Sequence, residues 1–244
     1  MWRHGQQRAK WASAPPDTRI YAVGDIHGRA DLLAETLARI DEDVYRRPVP
    51  HVVEVFLGDY VDRGADSKSV IDQLAIRMVR NHAVCLRGNH EQVMEAFLDD
   101  PEVIRNWAQL GAMQTLASYG IMLSARSTNI TPASLQQTFL NALPRTHELF
   151  LQCLRDYFVC GDFLFVHAGI RPGVPLEQQD VEDLLWIRDE FFESNVNHGM
   201  MVVHGHTPVD HPEFHNNRIN IDTGAWRSGV LTTIAIENSD VIVL

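Results

Sequence analysis

The chain has 244 residues, 45% of them hydrophobic and 22% charged, with a formal charge of −11; this fits one α/β domain with insertions and a sizeable core. The acidic balance argues against nonspecific nucleic-acid binding, which needs a basic face, and no apolar run reaches membrane-spanning length. Three scattered cysteines, Cys85, Cys153 and Cys160, give no disulfide framework and fit a reducing compartment, the cytoplasm.

In chain order, residues 1–19 read as a mobile lead-in, with Arg3, Arg8, Lys10 and Arg19 but no secretory-type apolar stretch, closing at Pro15-Pro16. A single domain is expected over 20–244. Its first strand is 20–23, followed by a helix over 31–44 that spaces Leu32, Leu33, Leu37, Ile40 and Val44 near the helical period. A strand at 52–57, a helix at 69–80 and a strand at 83–86 continue the alternation, which implies βαβ units and a partly parallel sheet. From Glu91 to about Tyr157 the periodicity is helical, with breaks at Pro101, Gly120, Pro132 and Pro144. A helical insertion at about 92–157, covering the sheet edge and choosing the substrate, is the expectation. Strand patterns return at 163–166, 201–203, 219–221, 231–236 and 241–244, spaced closely enough to expect more antiparallel pairing there.

Five clusters of metal-ligand residue types follow these runs: Gly24-Asp25-Ile26-His27-Gly28, Gly58-Asp59-Tyr60-Val61-Asp62-Arg63-Gly64, Gly88-Asn89-His90-Glu91, His167-Ala168-Gly169 and His204-Gly205-His206-Thr207. Sites in open α/β sheets form beyond the carboxyl ends of strands, so the clusters are expected on one rim of one sheet. Any one of them could be an ordinary turn; five in this order point to a hydrolytic two-metal site. Carboxylate, amide and imidazole donors together suit Mn, Fe or Zn better than Ca. His204 and His206 lie two apart and compete for one ligand role.

With these motifs, and Arg87-Gly88-Asn89-His90-Glu91 as the third, the chain resembles the phosphoprotein phosphatase family within the calcineurin-like metallophosphoesterases. The resemblance implies a β-sandwich flanked by helices and a dinuclear centre of two divalent ions, with manganese expected. It implies that Asp25 and His27 hold one metal, that Asn89, His167 and His206 hold the other, and that Asp59 bridges them. It casts His90 as general acid oriented by Asp62, and Arg63 and Arg188 as holders of the phosphoryl oxygens. Asn89 is implied at the substrate as well, and Arg87 is a further phosphate candidate that could equally be a salt bridge bracing the site. His167-Ala168-Gly169, His204-Gly205-His206 and the segment Ile221-Asp222-Thr223-Gly224-Ala225-Trp226 depart from the large eukaryotic phosphatases and match bacterial and phage-type members.

The leading expectation is a phosphomonoester hydrolase acting on phosphoserine, phosphothreonine or phosphotyrosine in proteins. The alternative is a dinucleoside polyphosphate hydrolase, with Trp107 and Tyr119 of the insertion serving either as core packing or as a nucleoside platform. A regulatory module on an inactive scaffold is disfavoured, because every expected ligand and the His90–Asp62 pair are present. Asp222 could be a turn residue or could approach the site.

Overall fold

A computed structural model describes residues 7–8, 11–122 and 130–244. Among these residues the elements run β1 (Gln7–Arg8), β2 (Thr18–Val23), α1 (Ala30–Arg46), β3 (His51–Phe56), α2 (Ser67–Asn81), β4 (Val84–Cys85), α3 (Asn89–Asp99), α4 (Ile104–Leu110), α5 (Ala112–Ser118), α6 (Pro132–Ala142) and α7 (Arg145–Gln152). They continue through β5 (Tyr157–Cys160), β6 (Phe163–Val166), α8 (Val181–Trp186), α9 (Asp189–Phe192), β7 (Met201–His204), β8 (Glu213–Phe214), β9 (Arg218–Asn220), α10 (Ala225–Ser228), β10 (Thr233–Glu237) and β11 (Asp240–Val243). None of the described helices is long and apolar enough to cross a membrane.

The strands form two sheets, ordered β1-β11-β10-β2-β3-β4 and β5-β6-β7-β9-β8. The period-2 alternation of each strand assigns its two faces. In β2, Ile20 and Ala22 turn into the core between the sheets, while Tyr21 and Val23 join the cluster under the helices. In β6, Phe163 and Phe165 enter the intersheet core, while Leu164 and Val166 pack with Leu184 and Phe191 of α8 and α9. Strands covered on both faces read as unbroken apolar runs, which is why the central ones are conspicuous in the sequence. On α1, Leu33, Thr36 and Ile40 are buried at helical spacing. Local chemistry sets helix ends: the Asp66 side chain accepts the Ser69 N–H at 3.0 Å at the start of α2, and Thr131 accepts the Ser134 N–H at 3.1 Å ahead of Pro132 in α6.

The arrangement corrects several expectations. The rim is shared by both sheets, since β2, β3 and β4 belong to one and β6 and β7 to the other. The later strands are richer in antiparallel pairing, as expected: β10 and β11 pair antiparallel in the first sheet and β5 and β8 do so at the edges of the second, while β6, β7 and β9 run parallel. Edge strand β5 closes the helical stretch. Its outward residues Tyr157 and Val159 are themselves apolar, so no polar alternation announces it. Strand β8 is too short to show a period. In the lead-in, residues 1–6 and 9–10 lie outside the described residues. Ala12 and Ala14 are buried against the intersheet core, and Trp11 donates its indole N–H to the Asn216 carbonyl at 3.0 Å.

Candidate metal-binding active site

Each cluster sits where a strand ends. Asp25 and His27 follow β2, Asp59 follows β3, Asn89 opens α3 just past β4, His167 follows β6 and His206 follows β7. Five of the residues in this region that are not glycine have left-handed backbones: His27 (φ 46°), Asp59 (53°), Asp62 (69°), Arg63 (63°) and His206 (65°). Such conformations cost on the order of 1 kcal/mol or more each and persist only where the surroundings over-determine them. Here the Ile26 and His27 amides donate to the Asp59 carbonyl at 3.1 and 2.8 Å, and the Gly28 amide donates to Tyr60 at 2.8 Å. Glu91, fully buried, accepts the backbone N–H groups of Asp59 (2.8 Å), Tyr60 (2.7 Å), Val61 (3.2 Å) and Gly88 (3.0 Å). One carboxylate therefore holds the loops that carry Asp59 and Asn89 against each other. Gly88 has to be glycine, because a Cβ there would run into the Asp59 carboxylate.

Asp59 lies between two groups of metal-ligating side chains, His27/Asp59/His90 and Asp59/His167/His206. Its Oδ2 is 3.4 Å from His27 Nε2, and its Oδ1 is 3.4 Å from His167 Nε2. The Asn89 Oδ1 lies 3.0 Å from both His167 Nε2 and His206 Nδ1. Asp25 accepts the His206 backbone N–H at 3.1 Å. Burial pushes His27 down to about 3, despite the adjacent Asp59 carboxylate, and lowers His167 as well. Both imidazoles are therefore neutral. Their Nδ1–H groups donate to the carbonyls of Val61 (2.9 Å) and Leu57 (2.8 Å), which fixes the tautomers. The bare Nε2 lone pairs then face carboxylate and amide oxygens. Acceptor facing acceptor is repulsive unless a cation lies among them, so this donor set fits divalent metal. Burial, with Asp222 and Asp59 nearby, pushes Asp25 well above the usual carboxylate range, while burial of Asp59 is outweighed by His167, His90, His27 and His206, which hold its carboxyl far below that range.

His90 sits in the same cluster with a different partner. Its Nδ1–H donates to Asp62 Oδ2 at 2.7 Å, and its Nε2 is 3.8 Å from Asp59 Oδ2 and 3.4 Å from Arg63 Nη2. Burial works against a charged ring, but the Asp59 carboxylate and the Asp62 hydrogen bond outweigh it and raise the His90 pKa. A carbonyl partner goes with lowered pKa values at His27 and His167, whereas carboxylate partners go with a raised one at His90.

The other expected residues are placed as follows. Arg63 borders His90. Arg188, exposed, donates to Thr207 Oγ1 at 3.4 Å, and its charge helps lower His167 and His206. Arg87 is turned toward Glu95 and Asp156, each at 2.9 Å. His206 faces Asn89, whereas His204 packs between Phe191 and Phe192 with its Nε2 unpartnered. Trp107 is wholly buried and Tyr119 nearly so, which leaves neither able to act as a nucleoside platform. Asp222 is buried, accepts the Gly224 N–H at 2.8 Å as a turn residue, and lies close enough to raise Asp25. Three contributors had no role assigned from sequence: Glu91, for which the only signal was its place in the third cluster; Thr115; and Trp226, 39% exposed with its ring 5.4 Å from the Arg63 guanidinium carbon.

A family model described as Calcineurin-like phosphoesterase matches residues 18–229. The bis(5'-nucleosyl)-tetraphosphatase PrpE [asymmetrical] of Anoxybacillus flavithermus is 27% identical over 231 residues, covering 87% of this chain and 88% of that protein. Among solved structures, one provisionally named a diadenosine tetraphosphatase has a TM-score of 0.63 at 19% identity, covering 96% of this chain and 98% of that one. The cold-active protein-tyrosine phosphatase of a psychrophilic Shewanella has a TM-score of 0.56 at 17% identity, covering 94% of this chain and 80% of that one. At these identities the structural likeness speaks for the fold alone.

Proposed function

We propose, from the premise that this chain belongs to the calcineurin-like phosphoesterase family, that it hydrolyses dinucleoside polyphosphates of the bis(5'-nucleosyl)-tetraphosphate class. Asp25, His27, Asp59, Asn89, His167 and His206 hold two divalent cations, manganese being the expected pair and iron or zinc being compatible with the mixed donors. When bound, the pair supplies an acidified water and charge neutralisation at the phosphoryl group. His90 gives its Nε2 proton to the leaving oxygen, and Asp62 keeps the ring aimed and charged. Arg63 and Arg188 bind phosphoryl oxygens, for which their planar forks are suited.

The substrate reading reverses the order expected from sequence, in which phosphoproteins came first. The relationship to tetraphosphatases over nearly the whole chain supports it. The observation that carries it in the structure is Trp226, an exposed ring stacked against the arginine beside the acid. That pairing places a flat apolar surface next to a phosphate-binding cation, as a nucleotide requires.

Metal-loaded protein given diadenosine tetraphosphate, a phosphoserine peptide, a phosphotyrosine peptide and β-glycerol phosphate should prefer the dinucleotide by about tenfold or more in kcat/KM, the worth of one stacked base. Preference for either peptide would restore the protein-phosphatase reading. Trp226→Ala should raise KM for the dinucleotide about tenfold and leave β-glycerol phosphate, which has no ring, within about twofold. Equal losses on both substrates would rule out stacking.

A further inference from the structure

Helices α4 and α5 make short polar contacts with Asp62, which ties them to the chemistry more directly than to substrate choice. Trp107 on α4 donates its indole N–H to both Asp62 oxygens, at 3.1 Å to Oδ1 and 2.9 Å to Oδ2. The Thr115 hydroxyl on α5 donates to Asp62 Oδ1 at 2.6 Å and accepts the Asp62 backbone N–H at 2.8 Å. Ser67, at the start of α2, also accepts that N–H, at 3.1 Å, and lies 3.0 Å from the Thr115 hydroxyl. Midway between, Gly111 approaches so closely that a Cβ would stand 2.7 Å from the Arg63 amide nitrogen. Trp107 lies on α4, Thr115 on α5 and Gly111, with a left-handed backbone (φ 114°), at the corner between them, so both helices and their junction meet the Asp62-Arg63 pair.

The contacts have a directional consequence. Asp62 is fully buried and its two oxygens receive Trp107, Thr115 and His90, so the carboxylate cannot rotate without breaking several short bonds. Its backbone and that of Arg63 are both left-handed, at φ 69° and 63°, and the Asp62 N–H is held by Thr115 and Ser67. The His90 ring takes its orientation from this carboxylate. A proton donor must be aimed, and displacement by about 1 Å can cost on the order of 10²-fold in rate.

We infer that Trp107 and Thr115 are positioning residues for the general acid, acting on His90 through Asp62, and that α4 and α5 form a clamp for the acid dyad. The inference rests on the proposed role of His90.

The test uses full-length, metal-loaded protein with two phosphomonoesters, 4-nitrophenyl phosphate, whose leaving group needs little protonation, and phenyl phosphate, whose leaving group needs much. His90→Asn sets the reference and should be far slower on phenyl phosphate than on the nitrophenyl ester. Thr115→Val removes a donor with its shape kept, and Trp107→Phe removes the indole N–H while keeping an aromatic ring in the buried site. Each should lower kcat on phenyl phosphate by about tenfold or more, move KM by less than about twofold, and lose several-fold less on the nitrophenyl ester. Thr115→Ser should restore the rate, and Thr115→Val in the His90→Asn background should add no further loss. Equal losses on both esters, no loss, or full additivity with His90→Asn in folded variants would overturn the inference. Should Thr115→Val fail to fold, Trp107→Phe and Thr115→Ser decide it by the same readouts. If His90→Asn treats the two esters alike, the acid role falls and the clamp's function falls with it.

Discussion

Asp59→Asn is expected to reduce bound metal from two ions to one or none and to lower kcat by about 10³-fold or more. The substitution is nearly isosteric, and Asn tolerates the left-handed backbone that Asp59 adopts, at φ 53°. The fold should therefore survive. The change is electronic: an amide N–H₂ would replace one carboxylate oxygen between His27 Nε2 and His167 Nε2, both 3.4 Å from Asp59. The amide would donate a hydrogen bond to an imidazole lone pair and so satisfy internally what a cation is proposed to satisfy. Losing several kcal/mol of transition-state charge stabilisation corresponds to about three powers of ten in rate. Metal content by elemental analysis, alongside kcat, checks the result. A variant with two ions and an unchanged rate would refute Asp59 as the bridge.

The second large effect is acid lability of the metal-free protein. Burial pushes His27 and His204 down to about 3 and His206 down to about 2. An unfolded histidine titrates near 6.5. Below that pH the unfolded chain takes up protons that these three buried rings refuse, so stability falls as pH drops from about 6.5 toward 3. His90 runs the other way: its raised pKa contributes stability below about 6.5 that is lost as pH climbs through its folded value. His167 and His198 are lowered too, while burial raises Glu91 to about 8, Asp222 to about 6 and Asp25 well above the usual carboxylate range; these three carboxyls, like His90, hold protons more tightly in the folded chain, so five lowered imidazoles against four raised groups leave a net acid lability smaller than the imidazoles alone would give. Each lowered ring contributes at most roughly 1.4 kcal/mol per pH unit, so a single imidazole can be followed by removing it. In thermal unfolding of chelator-treated protein from pH 7 to 5, His204→Leu, outside the proposed ligand set, should lose less stability on acidification than the parent protein, by up to about 1.4 kcal/mol per pH unit. Equal losses in the two proteins would contradict a neutral, buried His204.

The parts of this site that could be read from sequence are local ones. Asp25, Asp59, Asn89, His167 and His206 each follow an apolar run within a few residues, so strand and ligand appear as one word. What remained hidden depends on tertiary meeting. Trp107 reaches Asp62 across 45 positions and Thr115 reaches it across 53, and no periodicity records which donor a buried side chain finds. An aromatic residue in a helical stretch reads as packing; that Trp107 also donates its N–H to Asp62 is set by how α4 packs against its neighbouring helices. Arg87 had two readings because its guanidinium could turn either way, and Glu95 on the next helix with Asp156 turns it outward. The division of strands between two sheets was likewise illegible, since an apolar run such as that of β3 or β6 does not record which strands it will pair with.

That division bears on assembly. Asp25 meets His206 across 181 positions, and His167 meets Leu57 across 110. Closing loops of this length costs entropy that only a formed intersheet core can offset. Neither sheet carries the whole proposed ligand set, so a nascent chain that ends before β7 lacks His206 and cannot assemble the proposed centre. Cations seated between Asp59 and His167 would tie the two halves as a cross-link does, making metal uptake a late event and a signature of the finished sandwich.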